Sequence, residues 1–327
     1  MVKQKFSLKT INSPDAPLLH MGDGTEVDVS ELEEMARRCR VDIVKMTHAA
    51  KSGHPGGSLS AIDCMVAIYA TCLRFDTSNP DWEDRDRFIM SKGHASPAMY
   101  SILHQMGVLD EDDIMGFRTL GSVCQGHVDM NWTKGVDFSA GSLGMGLSFG
   151  LGCALSAKMD SSDRRIWVML GDGETQEGQI WEAAMAANYH NASNLRVIVD
   201  RNRIQNDDFM DVQMEIGDIG EKFRSFGWTV KEVDGHDMSS LVDVVDWANS
   251  QDEGPVAIVA NTIKGNGVSF MERTIHPSME RPRMMKSCEL HWRSYHECAF
   301  IWRGIQRWIW EGSSTNCRRP SCGCFRG

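Results

Sequence analysis

Long hydrophobic runs are absent from this sequence. No segment approaches the roughly 20 apolar residues that a membrane helix needs, and residues 1–15 lack the apolar core of a signal peptide. Positive charge is also scarce, because 34 Lys and Arg stand against 45 Asp and Glu and give a formal charge of −11. That balance gives a nucleic-acid or acidic-membrane partner no electrostatic support. We expect a cytoplasmic protein with a small-molecule partner.

Composition excludes disordered, collagen-like and coiled-coil classes. The 327 residues are 42% hydrophobic and 24% charged, which is close to globular averages. That length is enough for one large domain with an appendage. Five of the ten cysteines are scattered through residues 39–153, where we expect reduced, buried thiols.

The segment 278–327 differs in composition from the rest of the chain. It holds nine Lys and Arg against four Glu, a net charge of +5, so the first 277 residues carry a net charge of −16. It also holds four of the ten tryptophans and the other five cysteines, without a helical or strand period. The spacing of Cys317, Cys322 and Cys324 lacks the C-x-x-C pair that is typical of zinc sites, so it does not favour a zinc site.

Residues 1–277 are expected to form one α/β domain. Apolar positions at three- and four-residue steps predict an opening helix over 29–50, capped by Ser30 with Glu33 three residues later. Further along, helical segments alternate with β-branched or apolar runs at 164–170, 195–200, 228–233 and 256–262. This alternation predicts a mostly parallel sheet with helices on both faces.

A Gly-Asp-Gly triplet follows the strand at 164–170. Asp172 lies in the turn where a helix begins at the carboxyl end of that strand, which is where ligands of open α/β sheets bind. Asn202 follows the next strand, so a carboxylate and an amide oxygen are offered to one crevice. Such oxygens are ligands that Mg²⁺ prefers, and the glycines let a diphosphate approach the backbone. The triplet alone also makes an ordinary tight turn.

Three histidines lie in glycine-rich loops. His54, His94 and His127 occur in the sequences SGHPG, SKGHAS and QGH, where side chains usually face solvent or a site rather than the core. A further glycine-rich segment, 139–146, follows them. One loop histidine is usually inert, but three beside glycines indicate a functional site.

Together these motifs resemble those of transketolase, in particular the amino-terminal, diphosphate-binding subunit of split transketolases, over residues 29–272. The resemblance implies the thiamine diphosphate-binding fold and an enzyme of the pentose phosphate pathway. That enzyme transfers a two-carbon ketol (glycolaldehyde) unit from a ketose phosphate to an aldose phosphate. The implied cofactors are thiamine diphosphate and Mg²⁺, with Ca²⁺ or Mn²⁺ as substitutes.

The resemblance also implies which residues bind the cofactors. The metal ligands would be Asp172, Asn202 and the backbone carbonyl of Ile204. Gly173 would lie against the diphosphate, and Gly141 and Leu143 would border the aminopyrimidine. His94 and Asn202 complete the implied contacts with the cofactor.

The implied catalytic and substrate residues are six. His54 and His94 would contact the diphosphate and the substrate hydroxyls, and His127 would contact the C1 hydroxyl, as proton carriers or hydrogen-bond donors. Arg118 matches a family arginine that holds the sugar phosphate. Glu177 and Glu182 would join a carboxylate relay between the two active sites of a dimer.

A partner subunit follows from the same resemblance. A full transketolase carries a second, pyrimidine-binding domain whose glutamate activates the cofactor, and this chain has no room for it. The implied assembly has two copies of each subunit with the cofactor between them.

Other interpretations remain open. Arg118 could be a solvated charge, and the two glutamates could simply favour the positive end of a helix. Rival thiamine enzymes are a deoxyxylulose phosphate synthase and the α subunit of a 2-oxoacid dehydrogenase, although the histidine loops and Arg118 favour sugar phosphates. A rival outside catalysis is a frameshifted, non-catalytic pseudo-subunit.

The tail can be explained by a shifted reading frame. Families of this type continue with a loop reading HGKAPNDE, whose histidine reaches the active site, whereas this chain reads SMERPRMMKSCELHW from Ser278 onward. Codons can be chosen for that stretch which, read from one nucleotide upstream, give FHGKAPNDEELRTAL. We therefore expect that 278–327 is an aberrant tail rather than a native domain, and that it is prone to aggregation.

Overall fold

The computed structural model of the chain describes residues 28–272. The tail at 278–327 and its boundary at 277/278 therefore lie outside the described residues. The helices and strands, in chain order, are α1 Val29–Ala50, α2 Pro55–Thr71, β1 Arg87–Met90, α3 Ser96–Gln105, α4 Glu111–Met115, α5 Met145–Met159, β2 Ile166–Gly171, α6 Gly178–Tyr189, β3 Leu195–Arg201, α7 Met210–Gln213, α8 Ile219–Ser225, β4 Thr229–Asp234, α9 Met238–Asn249 and β5 Val256–Asn261.

Five parallel strands form one sheet in the order β1-β2-β3-β5-β4. The side chains of β2, β3 and β5 are buried along nearly their whole length, which is why these strands read as continuous apolar runs. The edge strand β4 is largely exposed, and only Val230 and Val233 in it are partly buried. The predicted parallel sheet with helices is confirmed, with strand limits within two residues of those expected. No helix within 28–272 has the length and apolarity needed to cross a bilayer.

Two hydrophobic cores cover the two faces of the sheet. Successive residues of a strand point to opposite faces, so Trp167 and Met169 pack into the core formed with α1, α2, α3 and α9. Val168 and Leu170 pack into the other core, formed with α5, α6 and α8. The sheet is thus covered on both sides, as the sequence predicts.

The start of α1 corrects one expectation. Ser30 was expected to cap the helix with Glu33, but Asp28 is the N-cap residue. Its Oδ1 accepts hydrogen bonds from the Ser30 amide at 3.0 Å and the Ser30 hydroxyl at 2.7 Å. A carboxylate satisfies the free amides of the first turn and also suits the positive end of the helix.

The register of the sheet brings several strand ends to one edge. Gly171 pairs with Asp200, and Asn261 pairs with both Arg201 and Asp234. The turns after β2, β3, β4 and β5 therefore begin at nearly the same height. This edge carries Asp172 and Asn202, which directly follow β2 and β3.

Substitution of two glycines on α5 can test how tightly that helix packs against the sheet. A Cβ added to Gly150 would lie 2.5 Å from Val168 Cγ2, whereas a Cβ on Gly152 would meet no atom within 4 Å. We expect Gly150→Ala to lower the free energy of unfolding by about 1–2 kcal/mol through overpacking. Gly152→Ala should raise it by about 0.5–1 kcal/mol, because alanine favours helix. Urea unfolding of the isolated chain checks both, and equal effects of the two variants would contradict this packing.

Candidate active site

The turns after β2 and β3 bring the three expected metal ligands together. Asp172 Oδ1 accepts from the Gly173 amide at 2.8 Å, and its Oδ2 accepts from the Arg203 amide at 2.5 Å. The Asn202 side-chain oxygen accepts from the Ile204 amide at 3.2 Å. The carboxylate thus lies directly against the turn that carries the other two expected ligands.

These donors fit a hard divalent cation. A carboxylate, an amide oxygen and a backbone carbonyl are the protein ligands that such an ion prefers. Asp172 is 3% exposed, and its burial together with the charge of Asp200 raises its pKa to about 6. A cation beside this buried carboxylate would stabilise its ionised form. The residues present therefore fit Mg²⁺.

Asp200 lies beneath this turn, and its carboxylate accepts four hydrogen bonds from side chains. Its Oδ2 accepts from Lys92 Nζ, from Ser60 Oγ at 2.6 Å and from Asn202 Nδ2 at 3.1 Å. Its Oδ1 accepts from the Thr262 hydroxyl. Burial raises the pKa of Asp200, but the Lys92 charge and these donors outweigh that effect and hold its pKa below the ordinary value. Asp200 is thus an anion that links α2, β3 and the segments that follow β1 and β5.

Two lysines, neither expected from the sequence, face this edge. Lys92 is 2% exposed and donates to the Gly57 carbonyl at 2.8 Å as well as to Asp200. Lys264 donates to the carbonyls of Ile204 at 3.3 Å and of Gln205 at 2.6 Å. Burial lowers the pKa of Lys264, and the Lys92 charge lowers it further. Both lysines adjoin glycines in the sequence, a signal that could have identified them.

Glycines border the same space. A Cβ on Gly173 would lie 3.0 Å from Gln205 Cγ, and a Cβ on Gly57 would lie 3.6 Å from His94 Nε2. A larger side chain at Gly173 would press against Gln205 in the turn after β3, and one at Gly57 would meet the His94 ring. This arrangement fits a diphosphate held close to the backbone and to the two lysines.

Two of the three loop histidines are in contact. The rings of His54, at the N-cap of α2, and His94, in a short 3-10 helix, lie 5.4 Å apart edge to face. Partial burial lowers the pKa of His54, and the charges of Arg118 and His127 add to this. Burial and the nearby charge of Lys92 lower the pKa of His94 to about 3. Both imidazoles are therefore neutral at pH 7 and can donate or accept hydrogen bonds.

Arg118 lies between the His54 and His127 loops. Its backbone has a positive φ of 61°, and its guanidinium donates to Ser52 Oγ at 2.7 Å and to the Gly126 carbonyl at 3.5 Å. Partial burial lowers the pKa of His127, and the Arg118 charge lowers it further. Arg118 thus contacts the loops that carry His54 and His127 and is not an isolated surface charge. Its contact with Ser52 was not expected from the sequence.

The segment before α5 adjoins the start of α6. Gly141 is exposed with no atom within 4 Å of an added Cβ, and Leu143 is partly buried. The Gly144 amide donates to the buried Glu174 at 2.8 Å, and a Cβ on Gly144 would lie 2.8 Å from Glu177 Cβ. Glu177 thus lies beside the segment expected to border the aminopyrimidine.

Glu182 lies further along α6 and is exposed, as is Glu177. No contact in the described part of the chain joins Glu182 to the histidine cluster. The relay role of both glutamates stays a prediction.

A separate cluster contains His104, Asp42 and Glu111. Asp42 lies 2.9 Å from Nδ1 of His104 and Glu111 lies 3.6 Å from Nε2, so the carboxylates contact opposite sides of the ring. That geometry suits an ion pair rather than one metal ion. The hydrogen bond from Asp42 raises the pKa of His104.

Comparison with known families agrees with this geometry. The family model described as "Transketolase, thiamine diphosphate binding domain" matches residues 31–278. The chain belongs to the transketolase family. The family expected from the motifs is therefore confirmed.

Two relatives of this transketolase-family chain are named as subunits. It is 39% identical over 220 residues to the 6-deoxy-6-sulfo-D-fructose transketolase subunit SqwG of Clostridium sp. (strain MSTE9), covering 67% of this chain and 80% of the relative. It is 36% identical over 249 residues to an apulose-4-phosphate transketolase subunit of Phocaeicola vulgatus, covering 75% of this chain and 87% of that relative.

Solved transketolases share the fold but are much longer. A transketolase variant from Pichia stipitis aligns with a TM-score of 0.70 at 31% identity, over 73% of this chain and 37% of that one. Transketolase from Leishmania mexicana aligns with a TM-score of 0.68 at 30% identity, over 72% and 37%. The transketolase-family chain thus spans less than two fifths of these enzymes.

The opposite pKa shifts of His94 and His104 can be measured together by histidine NMR. We expect the ring signals of His94 to stay constant from pH 8 to pH 5, because burial holds its pKa at about 3. The His104 signals should titrate above the ordinary value of about 6.5. His94→Asn and His104→Asn variants assign the signals, and a His94 midpoint near 6.5 would contradict the burial of its ring.

The pKa shifts of His94 and His104 also determine how each histidine changes the stability of the fold with pH. The lowered pKa of His94 makes the folded chain lose stability as the pH falls below about 6.5, so His94→Asn should lessen that loss. The raised pKa of His104 stabilises the fold below about pH 6.5, and this contribution is lost as the pH rises through the folded pKa.

Proposed function

We propose that this chain is the diphosphate-binding subunit of a split transketolase, which transfers a two-carbon ketol unit from a ketose phosphate to an aldose phosphate. The observation that carries the proposal is the convergence at one sheet edge of the Asp172 turn, Lys92 and Lys264, and the histidine cluster with Arg118. Family membership and the subunit names of two relatives support it.

The cofactor roles follow from the donors present. Asp172, Asn202 and the Ile204 carbonyl would hold Mg²⁺, or Ca²⁺ or Mn²⁺ in its place. Gly173 and His94 would lie against the diphosphate, and Gly141 and Leu143 would border the aminopyrimidine. When bound, thiamine diphosphate supplies the carbon nucleophile that this chain's side chains lack.

The neutral histidines would form hydrogen bonds with the substrate and accept protons from it. Because the pKa values of His54, His94 and His127 are all lowered, each ring can donate one hydrogen bond to a sugar hydroxyl and accept another. The exposed His127 is proposed to contact the C1 hydroxyl. A neutral imidazole can also accept a proton from a hydroxyl as a general base.

A partner chain would complete the site. The relatives named as subunits are covered to 80% and 87% of their length, whereas the solved transketolase of Pichia stipitis is covered to 37%. We propose that a second subunit supplies the pyrimidine-binding domain, with two copies of each chain and with Glu177 and Glu182 in a relay between sites. All five described cysteines are free thiols, which supports a reducing cytoplasmic location.

The donor substrate is proposed to be a ketose with a terminal anion. Both named relatives carry the names of anionic ketoses, one a sulfonate and one a phosphate, and Arg118 offers a guanidinium beside the histidines. The test panel should therefore include xylulose 5-phosphate, apulose 4-phosphate and 6-deoxy-6-sulfofructose. A pentose phosphate pathway role is favoured if xylulose 5-phosphate is the best donor.

The assembly can be tested by reconstitution. The chain as it stands, and a version with the reading frame corrected from residue 278, are each mixed with the subunit encoded beside it, and ketol transfer to ribose 5-phosphate is measured. We expect turnover only from the corrected chain with its partner, because the loop histidine of the family is restored. The corrected chain carrying Asp172→Asn is the control and should lose Mg²⁺-dependent cofactor binding.

Each other outcome has a meaning. Equal turnover by both versions would contradict the frameshift explanation of the tail. Cofactor binding without transfer of any ketose would contradict the proposed substrate class. Activity with pyruvate instead would favour a deoxyxylulose phosphate synthase or a 2-oxoacid dehydrogenase.

Arg118 can be tested through its substrate preference. Arg118→Gln should raise the KM for a phosphorylated ketose about tenfold, the cost of losing a charge-assisted hydrogen bond, with a small change in kcat. The KM for L-erythrulose, which has no phosphate, should stay unchanged. Arg164→Gln, at the opposite end of β2, is the matched control. Equal losses with both ketoses would mean that Arg118 only supports the loops.

A further inference from the structure

His236 is a partly buried histidine in the turn after β4 that no motif explained. Its Nε2 lies 2.8 Å from the amide of Ile263, and its Nδ1 lies 2.7 Å from Asp63 Oδ2. Asp63 is in turn paired with Arg40 of α1. One imidazole therefore connects α1, α2 and the turn after β4 to the segment that follows β5.

The hydrogen bonds fix the tautomer of this ring. A backbone amide can only donate, so Nε2 must accept from Ile263 and carries no proton. Nδ1 then bears the proton and donates to the Asp63 carboxylate, and the Asn266 side-chain amide lies 3.0 Å from the same Nδ1. Burial raises the pKa of Asp63, but His236 and Arg40 outweigh this and hold its pKa below the ordinary value, so Asp63 is an anion that favours this tautomer.

The segment 263–267 has little freedom to move. The Gly265 amide donates to the Gly56 carbonyl at 3.0 Å, and Arg40 Nε donates to the Asn266 carbonyl at 3.2 Å. Gly265 has a φ of 83°, and a Cβ there would lie 2.5 Å from the Met271 carbonyl oxygen, so only glycine fits.

Lys264 is the next residue after the one that His236 holds. Its ammonium reaches the carbonyls of Ile204 and Gln205, at the turn proposed to hold the metal and diphosphate. Burial and the Lys92 charge lower the pKa of Lys264, and the charges of Asp172 and Asp200 act in the opposite direction. A shift of the Ile263 amide would therefore move a cation at the proposed cofactor site.

We propose that His236 is a positioning residue for cofactor binding: its Nε2 holds the Ile263 amide and thereby fixes the Lys264 ammonium at the cofactor edge. This inference rests on the proposed function, since it concerns the same site. A purely structural histidine is the rival explanation, and it predicts equal losses from any substitution that breaks the packing of the ring.

Two substitutions separate these explanations. In His236→Gln the side-chain oxygen can take the place of Nε2 and accept from Ile263, whereas in His236→Asn the shorter amide takes the place of Nδ1, beside Asp63 and Asn266, and leaves the Ile263 amide without its acceptor. We expect His236→Asn to raise the Kd of thiamine diphosphate about tenfold at saturating Mg²⁺, which corresponds to the loss of one hydrogen bond. His236→Gln should stay within about threefold of the parent chain. The exposed His190→Asn is the control.

A double-mutant cycle tests whether the effect passes through Lys264. In a Lys264→Met background, His236→Asn should raise the Kd by less than about twofold further, because the group that it positions is gone. Full additivity of the two losses would overturn the proposal. Cofactor binding is measured by titration of the chain as it stands, mixed with its proposed partner, and urea unfolding verifies that each variant is folded.

One further measurement needs no variant. The ¹⁵N shifts of His236 in the parent chain should show the proton on Nδ1, and a proton on Nε2 would overturn the proposal directly. Normal cofactor binding by His236→Asn would overturn this inference while leaving the proposed function intact. Failure of the parent complex to bind thiamine diphosphate would instead contradict the proposed function.

Discussion

The buried ion pair between Lys92 and Asp200 organises this molecule. Taking one unpaired charge into a protein interior is costly, and removing one partner of a buried pair typically costs about 3–5 kcal/mol. Both side chains are 2% exposed or less, so neither can turn to solvent. Asp200 also accepts from Ser60 and Thr262, which ties α2 and the end of β5 to the same carboxylate. Side chains from several segments therefore hold the Asp200 carboxylate in place at this end of the sheet.

The same charges set the chemistry of the histidines. Lys92 and Arg118 place positive charge beside His94 and His54, and this adds to burial in keeping both rings neutral. The cations proposed to attract a diphosphate and a sugar phosphate thus also make the imidazoles available as hydrogen-bond partners and bases. Removing the cations would weaken anion binding and return the rings toward the charged form.

Sequence reasoning succeeded where the physical signal is local. Buried parallel strands appear as apolar runs, and ligands follow the ends of such strands, so the sheet and the turns at Asp172 and Asn202 could be placed in advance. It did not find contacts between residues that lie far apart in the sequence. Lys92 and Asp200 are 108 residues apart, and His236 lies 173 residues from Asp63; neither spacing has a period. Whether Asp28 or Ser30 caps α1 depends on the residue at which the helix begins. A sequence pattern locates that residue only to within one or two positions.

The geometry of the site bears on the tail that we propose to be out of frame. The contacts described for the metal-ligand turn, the lysines and the histidines all come from residues 28–272, and the family match ends at residue 278, where the composition also changes. A change of reading frame at that point would leave these residues unchanged and would replace everything from residue 278 onward, including the loop histidine expected there. The proposed lesion therefore separates binding from turnover: a chain that holds thiamine diphosphate yet lacks one substrate contact should lose ketol transfer before it loses cofactor affinity.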